Sequence, residues 1–487
     1  MLLMPPARPN ILFILSDDHA AHAISAYGSR INHTPNIDRI AQRGMRFDNC
    51  FCTNAICTPA RASILTGTHN HVNGVTTLET DLDNSIPTFA GQLKAHGYQT
   101  AIFGKWHLGE GKQHQPNPDH FDEWAVFPGQ GLYHNPEVIF PDGEKRSVPG
   151  YATDLITDFS LDFIEKRDSE RPFCLFTWHK APHRPWEPDE KHLSMFIGKN
   201  IPEPETLYDD YANRSAFAEA AHMRVGLDMN DSDLKAKPNK NLSEDELRRW
   251  AYQRYIKDYL RVVASVDDNV GRQLNDLEER GLLQNTIVIY SSDQGFFLGD
   301  HGWYDKRFMY EESLRMPFLI SYPNVIAEGM TNDQIVTNVD FAPTLLSLCG
   351  ASVPEEMQGK DFSPLLEGKR PDDWQQSMYY RYWMNGSNHN VAAHYGIRTH
   401  RYKLIYFYND GLGQKGSDGG LCGRIQASEH TLYGMKPAWE LFDLEKDPHE
   451  LTNRYDDPNY VTVIEELKTE LHAWQSRIGD HPVDEIP

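Results

Sequence analysis

Five short apolar segments alternate with longer amphipathic segments, and this alternation constrains the fold more than any other feature of the chain. The apolar segments cover 11–16, 100–103, 173–178, 286–291 and 317–321. Because they are continuous rather than alternating in polarity, they are typical of strands covered on both faces. We predict helices over 37–44, 60–66, 87–96, 152–166, 244–280 and 341–349. The predicted fold class is α/β, with a large, mainly parallel sheet sandwiched by helices.

The pattern changes after about residue 371. Aromatic-rich runs that alternate in polarity cover 377–383, 395–398, 402–408 and 439–443. They predict a small antiparallel sheet closed by a helix over 463–477. We therefore expect a larger domain over 1–370, which carries the site, and a C-terminal α+β subdomain over 371–487. The polar segment 202–241 is interpreted as an insertion at the rim of the site, and the glycine-rich segment 411–423 as a loop.

Two acidic clusters directly follow predicted strands. Asp17 and Asp18 end the first apolar segment, and Asp293 with Gln294 ends the fourth. Ligands bind at the carboxyl ends of strands in open α/β sheets, so these side chains are expected to meet. The adjacent carboxylates of Asp17 and Asp18 repel each other unless a cation lies between them, although this pair alone also fits a solvated turn. A set of hard oxygen ligands favours Ca²⁺ or Mg²⁺ over Zn²⁺, and several carboxylates favour Ca²⁺.

Basic groups follow strand ends as well. Lys105 and His107 come after the segment 100–103, His183 comes after 173–178, and Lys306 lies soon after Asp293. A lone histidine is more often structural and a lone lysine is usually solvated, but their places at strand ends favour a functional interpretation. The formal net charge is −23. A site for an anion in such a chain needs its own cluster of positive charge.

The segment Cys57-Thr58-Pro59-Ala60-Arg61 stands at the start of a predicted helix. A cysteine in an apolar run is usually a small buried hydrophobic residue. Cys-x-Pro-x-Arg before a helix is also the sequence that a maturation enzyme reads when it converts the cysteine to formylglycine, whose hydrate is a harder nucleophile than a thiolate. A further alternative is an unconverted cysteine nucleophile with a thiol pKa lowered by the helix N-terminus. Neighbouring carboxylates and a metal fit that chemistry poorly.

These motifs together resemble the formylglycine-dependent (type I) sulfatases of the alkaline phosphatase superfamily. The resemblance covers residues 10–323 and resumes at 440–450. It implies an alkaline-phosphatase-like fold and a sulfuric ester hydrolase. It also implies that a formylglycine-generating enzyme matures residue 57, which then attacks sulfur and forms a covalent sulfate ester.

Carried over by motif, the resemblance implies a role for each site residue. Ca²⁺, rather than Mg²⁺, would be held by Asp17, Asp18, residue 57, Asp293 and Gln294. Arg61 would steady residue 57 and the carboxylates, and Lys105 and Lys306 would bind the sulfate oxygens. His183 would protonate the leaving alcohol, and His107 would take the proton from the remaining hydroxyl of residue 57.

Two positions depart from the family pattern. Gln294 stands where many members have Asn, and Gln also occurs there. A serine that contacts the hydroxyl near residue 57 in some members has no match between Lys105 and Ala152. The proton network around His107 is therefore incomplete in the sequence.

The substrate is less constrained than the chemistry. The segment 304–317 resembles that of glucosamine-6-sulfatases and related glycan sulfatases, which implies a small-molecule or oligosaccharide sulfate ester. Trp124, Phe127 and Tyr133 either stack on a sugar ring or pack a loop on the core. His301 and Arg307 flank Lys306 and are candidates for contacts with substrate hydroxyls or a uronate.

Other functions fit parts of the pattern. A phosphonate monoester or phosphodiester hydrolase, or an arylsulfatase, would use the same nucleophile and metal. A catalytically silent binding protein that keeps the fold is disfavoured, because Lys105, His107 and His183 are all present.

Composition limits which binding partners and which cellular compartment we expect for this protein. The charge of −23 argues against nucleic acid or an anionic membrane surface. The six cysteines lack zinc-like spacing and are interpreted as free thiols. The apolar stretch 11–15 is too short for a signal peptide or a membrane span, so we expect a cytoplasmic protein. The sequence does not decide whether the protein forms a homo-oligomer, because the tail 479–487 could either wrap around a neighbouring subunit or fray.

Overall fold

The computed structural model describes residues 8–109, 111–417 and 432–485. The N-terminal segment 1–7 and residues 418–423 of the predicted glycine-rich loop lie outside the described residues. Residues 411–417 of that loop form turns without helix or strand, as predicted. In the described ranges no helix is long and apolar enough to cross a membrane.

The elements follow the predicted order, with additional short strands between them. The strands are β1 (Asn10–Ser16), β2 (Met45–Phe47), β3 (Cys50–Phe51), β4 (Gln99–Lys105), β5 (Glu123–Phe127), β6 (Glu137–Ile139), β7 (Lys145–Ser147), β8 (Phe173–Trp178), β9 (Thr286–Ser292), β10 (Phe297–Leu298), β11 (Tyr304–Asp305), β12 (Phe318–Ser321), β13 (Met330–Asn332), β14 (Val336–Thr337), β15 (Ser377–Tyr382), β16 (His394–Thr399), β17 (Tyr402–Phe407) and β18 (Ala438–Asp443). The helices are α1 (Pro35–Gln42), α2 (Cys57–Thr66), α3 (Asn70–Asn73), α4 (Phe89–Ala95), α5 (Ala152–Lys166), α6 (Ala216–Ala220), α7 (Asp231–Leu234), α8 (Glu244–Glu279), α9 (Glu311–Leu314), α10 (Phe341–Leu348), α11 (Ser363–Leu366) and α12 (Val461–Ile478).

A ten-stranded sheet forms the centre of the molecule, in the order β13-β2-β12-β9-β1-β8-β4-β5-β6-β7. The five central strands, from β9 to β5, are parallel. Antiparallel pairs extend the sheet at both sides, through β12 at one side and β6 with β7 at the other. The prediction of a large, mainly parallel sheet is confirmed in this central part.

Helices cover both faces of the large sheet. Along β1, Ile11 and Phe13 belong to one apolar core, whereas Leu12 and Ile14 belong to another. The first core includes residues of α2, α4 and α10, and the second includes residues of α5 and α8. Because every residue of β1 is buried, the strand has no polar face, and this explains its continuous apolar sequence.

The long helix α8 begins at a capping box. The Ser243 side chain accepts from the backbone N–H of Glu246, and the Glu246 carboxylate accepts from the Ser243 backbone N–H. This reciprocal pair satisfies two backbone donors that a helix start otherwise leaves free, and such a cap stabilises a helix by about 1 kcal/mol. The segment 202–241, predicted as irregular, contains only the short helices α6 and α7.

The C-terminal part has an antiparallel sheet in the order β15-β16-β17-β18. One face packs against α12 through residues such as Ile397, Leu404 and Leu471. The other face contributes Met378 and Tyr380 to the first core of the large sheet. The antiparallel sheet and its closing helix agree with the prediction. The predicted division into two domains at residue 370 stays a prediction, because the C-terminal sheet shares an apolar core with the large sheet.

The C-terminal tail packs on its own chain as far as it is described. Asp480 accepts from the Tyr379 hydroxyl at 2.6 Å and from Arg381 at 2.6 Å. Glu485 accepts from the Tyr395 hydroxyl at 2.6 Å. The cysteines at 50, 52, 57, 174 and 349 are free and buried, as expected for thiols, and Cys422 lies outside the described residues.

Candidate active site

The register of the parallel strands brings the predicted clusters together. Ser16 of β1 pairs with Ser292 of β9, and Leu15 pairs with Trp178 of β8. Trp178 also pairs with Gly104 of β4. These four neighbouring strands therefore end side by side. The residues that follow them meet at the carboxyl edge of the sheet, where α/β sheets bind ligands.

Three carboxylates meet at this edge. One oxygen from each of Asp17, Asp18 and Asp293 lies within 4.8 Å of the others, and all three residues are buried. The backbone N–H of Asp18 donates to Asp293 Oδ1 at 3.2 Å, which fixes the two loops against each other. Gln294 Nε2 donates to Asp18 Oδ1, so its amide oxygen is turned away from that carboxylate.

These residues fit a hard divalent cation. Asp17 Oδ1 and Gln294 Oε1 are buried acceptors that have no hydrogen-bond partner among the described residues. A buried acceptor without a partner costs about 1–3 kcal/mol, and coordination to a cation would remove this cost. The metal-ligand atoms of these four side chains are all oxygen, which favours Ca²⁺ or Mg²⁺ over Zn²⁺. The residues therefore fit the metal site that the sequence predicts.

The carboxylates differ in their readiness to ionise. Burial raises the pKa of Asp293 to about 7, and the neighbouring Asp17 adds to the rise. Burial likewise raises the pKa of Asp18 to about 6, although Lys306 opposes it. Burial also acts to raise the pKa of Asp17, but Lys105 and other nearby positive groups hold it well below its usual range. A cation between the three groups would favour the ionised form of all of them.

Positive side chains line the same site. Arg61 is fully buried; its Nε donates to Asp293 Oδ2 at 3.0 Å, and its Nη1 donates to the Lys105 carbonyl at 2.7 Å. Lys105 Nζ contacts Asp17 Oδ2 directly. Lys306 Nζ lies 2.7 Å from Asp18 Oδ1. The site therefore provides the concentrated positive charge that an anionic substrate requires in this acidic protein.

Residue 57 is the first residue of α2 and lies inside this cluster. Its Sγ, one Asp17 oxygen and a His183 ring nitrogen lie within 4.8 Å of one another. Burial raises the pKa of the Cys57 thiol to about 12, although Lys105 and Lys306 act against this. The pKa of the thiol is therefore raised, not lowered as its place at the helix N-terminus suggests, because burial is the largest influence on it. An unconverted Cys57 would be a neutral thiol and a weak nucleophile.

The two predicted catalytic histidines, His183 and His107, are held by different partners. His183 Nδ1 lies 2.6 Å from the Arg184 carbonyl, so Nδ1 carries a proton and Nε2 faces the site, 3.8 Å from Asp18 Oδ2. His107 Nδ1 lies 3.2 Å from Thr58 Oγ1. Burial and the nearby Lys105 hold the pKa of both imidazoles well below the usual value.

The structure adds a residue that sequence reasoning missed. Gln130, in the loop after β5, places its amide between Lys105 and His107. A glutamine thus contacts His107, around which the sequence leaves the proton network incomplete. The segment 128–131 carries no motif, and only the parallel pairing of β4 with β5 reveals the contact.

Several site residues have strained backbones. Asp18, His107, Asp305 and Arg307 have positive φ angles of 66°, 55°, 82° and 97°. A left-handed conformation costs a non-glycine residue on the order of 1–3 kcal/mol, and such residues cluster at functional sites. The surrounding structure holds each of these side chains in a fixed direction.

Arg307 and His301, the two predicted contacts with substrate hydroxyls or a uronate, have different surroundings. Arg307 is buried near residue 57; its Nη1 donates to the Tyr382 hydroxyl at 3.2 Å. His301 is completely buried and lies 3.2 Å from Asp209 and 3.5 Å from Glu312, so its ring takes part in buried ion pairs. A contact of His301 with substrate stays a prediction.

The aromatic residues after position 120 pack inside the protein. Trp124 and Phe127 belong to the two cores of the large sheet. Tyr133 is buried, and its hydroxyl donates to the His183 carbonyl at 2.6 Å. Of the two alternatives for these rings, the structure favours packing over stacking on a sugar.

Comparison with known proteins decides the family. The sulfatase family model matches residues 9–351, which is most of the chain. The chain belongs to the sulfatase family. A second model, the C-terminal part of N-sulphoglucosamine sulphohydrolase, matches residues 299–414 and 430–477 of this sulfatase.

Relatives and solved structures agree with this assignment. An N-acetylglucosamine-6-O-sulfatase of Bacteroides thetaiotaomicron is 40% identical, over 98% of this sulfatase and 88% of the relative. A solved complex of a protein with its substrate D-glucosamine-2-N,6-O-disulfate is 39% identical with a TM-score of 0.87, over 98% of this chain and 99% of that one. The phosphonate monoester hydrolase of Agrobacterium radiobacter, at 21% identity and a TM-score of 0.73 over 97% and 96% of the two chains, shares the fold.

These similarities confirm the main predictions from sequence. The protein is an enzyme, a sulfatase of the type I group in the alkaline phosphatase superfamily. Its large sheet and its C-terminal antiparallel sheet are those of an alkaline-phosphatase-like fold. The catalytically silent alternative is thereby disfavoured further.

Proposed function

We propose that this sulfatase hydrolyses the 6-O-sulfate ester of a glucosamine or N-acetylglucosamine unit of a sulfated glycan. The observation that carries the proposal is the meeting of residue 57 with three carboxylates and with Lys105 and Lys306 in one buried site. The choice of sugar is supported by the N-acetylglucosamine-6-O-sulfatase at 40% identity and by the solved complex with a 6-O-sulfated glucosamine.

The nucleophile and the metal are proposed from the residues that surround them. Conversion of Cys57 by a formylglycine-generating enzyme would replace a neutral thiol by a hydrated aldehyde, whose hydroxyl is the nucleophile suited to a sulfate ester. Asp17, Asp18, Asp293 and Gln294, with residue 57, would hold Ca²⁺. When bound, the metal supplies a Lewis acid that polarises the sulfate group.

Lys105 and Lys306 are proposed to bind the sulfate oxygens. Their ammonium groups contact Asp17 and Asp18, and both act on the ionisation of residue 57. Both are buried, so their attraction for an anion is weakly screened by water. Groups fixed in this way need no reorganisation during the reaction, and one such donor typically contributes about 10²–10³ in kcat.

His183 is proposed as the general acid. Its Nδ1 is held by the Arg184 carbonyl, so Nε2 is the atom that can protonate the leaving oxygen of the sugar. Burial, together with Lys105, lowers the pKa of His183 in the free protein. The negative charge of a sulfate ester offsets the two ammonium groups, so substrate binding raises this pKa and favours the acid form.

His107 and Arg61 complete the proposal. His107 lies beside residue 57 through its contact with Thr58, and we assign it as the base for the second half of the reaction, in which sulfate leaves. Arg61 binds Asp293 and the Lys105 carbonyl, and so fixes a metal ligand relative to an anion-binding lysine.

The substrate is tested by sulfate release from protein co-expressed with a formylglycine-generating enzyme. The panel contains N-acetylglucosamine 6-sulfate, its 3-sulfate as a positional control, p-nitrophenyl sulfate and a phosphonate monoester. We expect kcat/KM for the 6-sulfate to exceed that for every other ester. Preference for the phosphonate, or turnover of the aryl ester alone, would overturn the substrate assignment while retaining the nucleophile.

A further inference from the structure

The loop between β5 and β6 reaches into the active site through Gln130. β4 and β5 are parallel neighbours, and Lys105 stands opposite Phe127 in their register. The two strands therefore end side by side, and the residues after Phe127 lie alongside Lys105 and His107. Gln130 Oε1 accepts from Lys105 Nζ at 2.5 Å, and Gln130 Nε2 lies 3.3 Å from His107 Nε2.

The partners of this amide fix the positions of the protons. A lysine ammonium only donates, so the oxygen of Gln130 must face Lys105. The NH₂ group of Gln130 then faces His107 and can only donate, so His107 Nε2 must accept. A neutral imidazole that accepts at Nε2 carries its proton on Nδ1, and that atom lies 3.2 Å from Thr58 Oγ1, which can accept it.

The loop backbone is built to hold this side chain in place. Gly129 and Gly131, on either side of Gln130, have positive φ angles of 51° and 67°. A Cβ on Gly131 would lie 2.8 Å from the Phe127 ring, so a larger residue would displace the loop. Tyr133 anchors the far end through its hydrogen bond to the His183 carbonyl. One short loop thus contacts Lys105, His107 and His183.

We propose that Gln130 is a positioning residue for sulfate ester cleavage, whose amide directs the Lys105 ammonium and holds His107 as the tautomer that accepts a proton at Nε2. The proposal rests on the proposed function, because it deepens the account of the same site. It assigns Gln130 the place in the proton network that the sequence leaves empty between Lys105 and Ala152. Gln130 acts through its two neighbours and needs no contact with the reacting atoms.

Two variants of Gln130 separate hydrogen bonding from packing. Gln130→Met keeps the length of the side chain and removes both hydrogen bonds. Gln130→Glu keeps the acceptor for Lys105 but cannot donate to His107, so it favours a proton on His107 Nε2. Lys105, Arg61 and Lys306 oppose that proton and Asp17 favours it, and all four stay unchanged in both variants.

The experiment measures kcat and KM for p-nitrophenyl sulfate and for N-acetylglucosamine 6-sulfate between about pH 5.5 and 9. Mass spectrometry of residue 57 corrects each rate for the matured fraction. We expect Gln130→Met to lower kcat at least about 10-fold, with a smaller change in KM. We expect Gln130→Glu to move the acidic limb of the kcat profile to higher pH. Leu132→Ala, in the same loop and 60% exposed, is the control and should keep the wild-type kcat and profile.

The outcomes distinguish the inference from the proposed function. Wild-type kcat and pH profile in Gln130→Met would overturn the inference and leave the proposed function intact. Equal losses in both variants, with the pH profile unmoved, would show that Gln130 only packs the loop and would also overturn it. A matured wild type that releases sulfate from neither ester would overturn the proposed function and, with it, the role assigned to Gln130.

Discussion

Lys306 Nζ lies 2.7 Å from Asp18 Oδ1, and the two side chains are only 2% and 0% exposed. A buried ion pair of this kind contributes little net stability, because both charges lose their hydration. The pair places a proposed anion-binding group directly against a proposed metal ligand. Removal of either charge would leave the other buried without its partner.

Loss of the Lys306 charge should abolish most turnover. We expect Lys306→Met to reduce kcat/KM for p-nitrophenyl sulfate by about 100-fold or more, because one donor to the developing charge is lost. Calcium content, measured by elemental analysis, should not fall, since the carboxylates remain. Lys166→Met, on a side chain that is 70% exposed and paired with Asp162, is the matched control. Activity of Lys306→Met within twofold of the wild type would contradict the assignment.

Metal content and activity should fall together when Asp17 loses its charge. Asp17 Oδ1 is a buried acceptor without a partner in the described part of the chain, and Asp17→Asn replaces a carboxylate ligand by an amide. We expect a lower calcium content after dialysis and a loss of turnover, both partly restored by added Ca²⁺. The exposed Asp119→Asn is the control. Equal calcium content in Asp17→Asn and the wild type would rule out Asp17 as a ligand.

His301 should stabilise the fold in a pH-dependent way. Burial acts to lower its pKa, but Asp209 and Glu312 raise the pKa of His301 to about 9, above the ordinary value of 6.5. A group with a raised folded-state pKa stabilises fully below its unfolded pKa, and this contribution is lost as pH rises through the folded value. It should therefore be complete below about pH 6.5 and absent above about pH 9. Its size is on the order of 3 kcal/mol.

Urea unfolding of His301→Gln tests this expectation. The difference in free energy of unfolding from the wild type should be largest at pH 6 and shrink towards pH 9. His449→Gln, whose side chain is 48% exposed, should follow the wild type at every pH. A difference for His301→Gln that does not change between pH 6 and 9 would show that its ion pairs do not cause the effect.

Long elements of the fold follow from sequence, and short ones do not. The helix over 152–166 and the strand over 173–178 are observed with the predicted bounds, because each has enough residues to show its period or its continuous apolar character. Strands of two or three residues, such as Met45–Phe47 and Phe297–Leu298, show no periodicity. Met45–Phe47 pairs with the strand Phe318–Ser321, and Phe297–Leu298 pairs with Tyr304–Asp305, so both depend on backbone partners that the local sequence does not show.

In the active site, residues at strand ends were predictable from sequence, and a residue in a loop was not. Asp17, Lys105 and Asp293 were predictable, since each ends a strand of a parallel sheet and such ends converge. Gln130 was not, because its contact depends on the register between β4 and β5 and on the course of a glycine-flanked loop. The ion pairs of His301 were not predictable either, because its nearness to Lys306 in the chain does not show that its ring lies beside Asp209 and Glu312.

The proposed nucleophile of this sulfatase is formylglycine at position 57. The most direct test compares preparations with different extents of maturation, in which mass spectrometry gives the converted fraction and ion chromatography gives sulfate released from N-acetylglucosamine 6-sulfate. We expect the rate to be proportional to the converted fraction, and to be zero for unconverted protein and for Cys57→Ala. Substantial sulfate release from unconverted protein or from Cys57→Ala would contradict it.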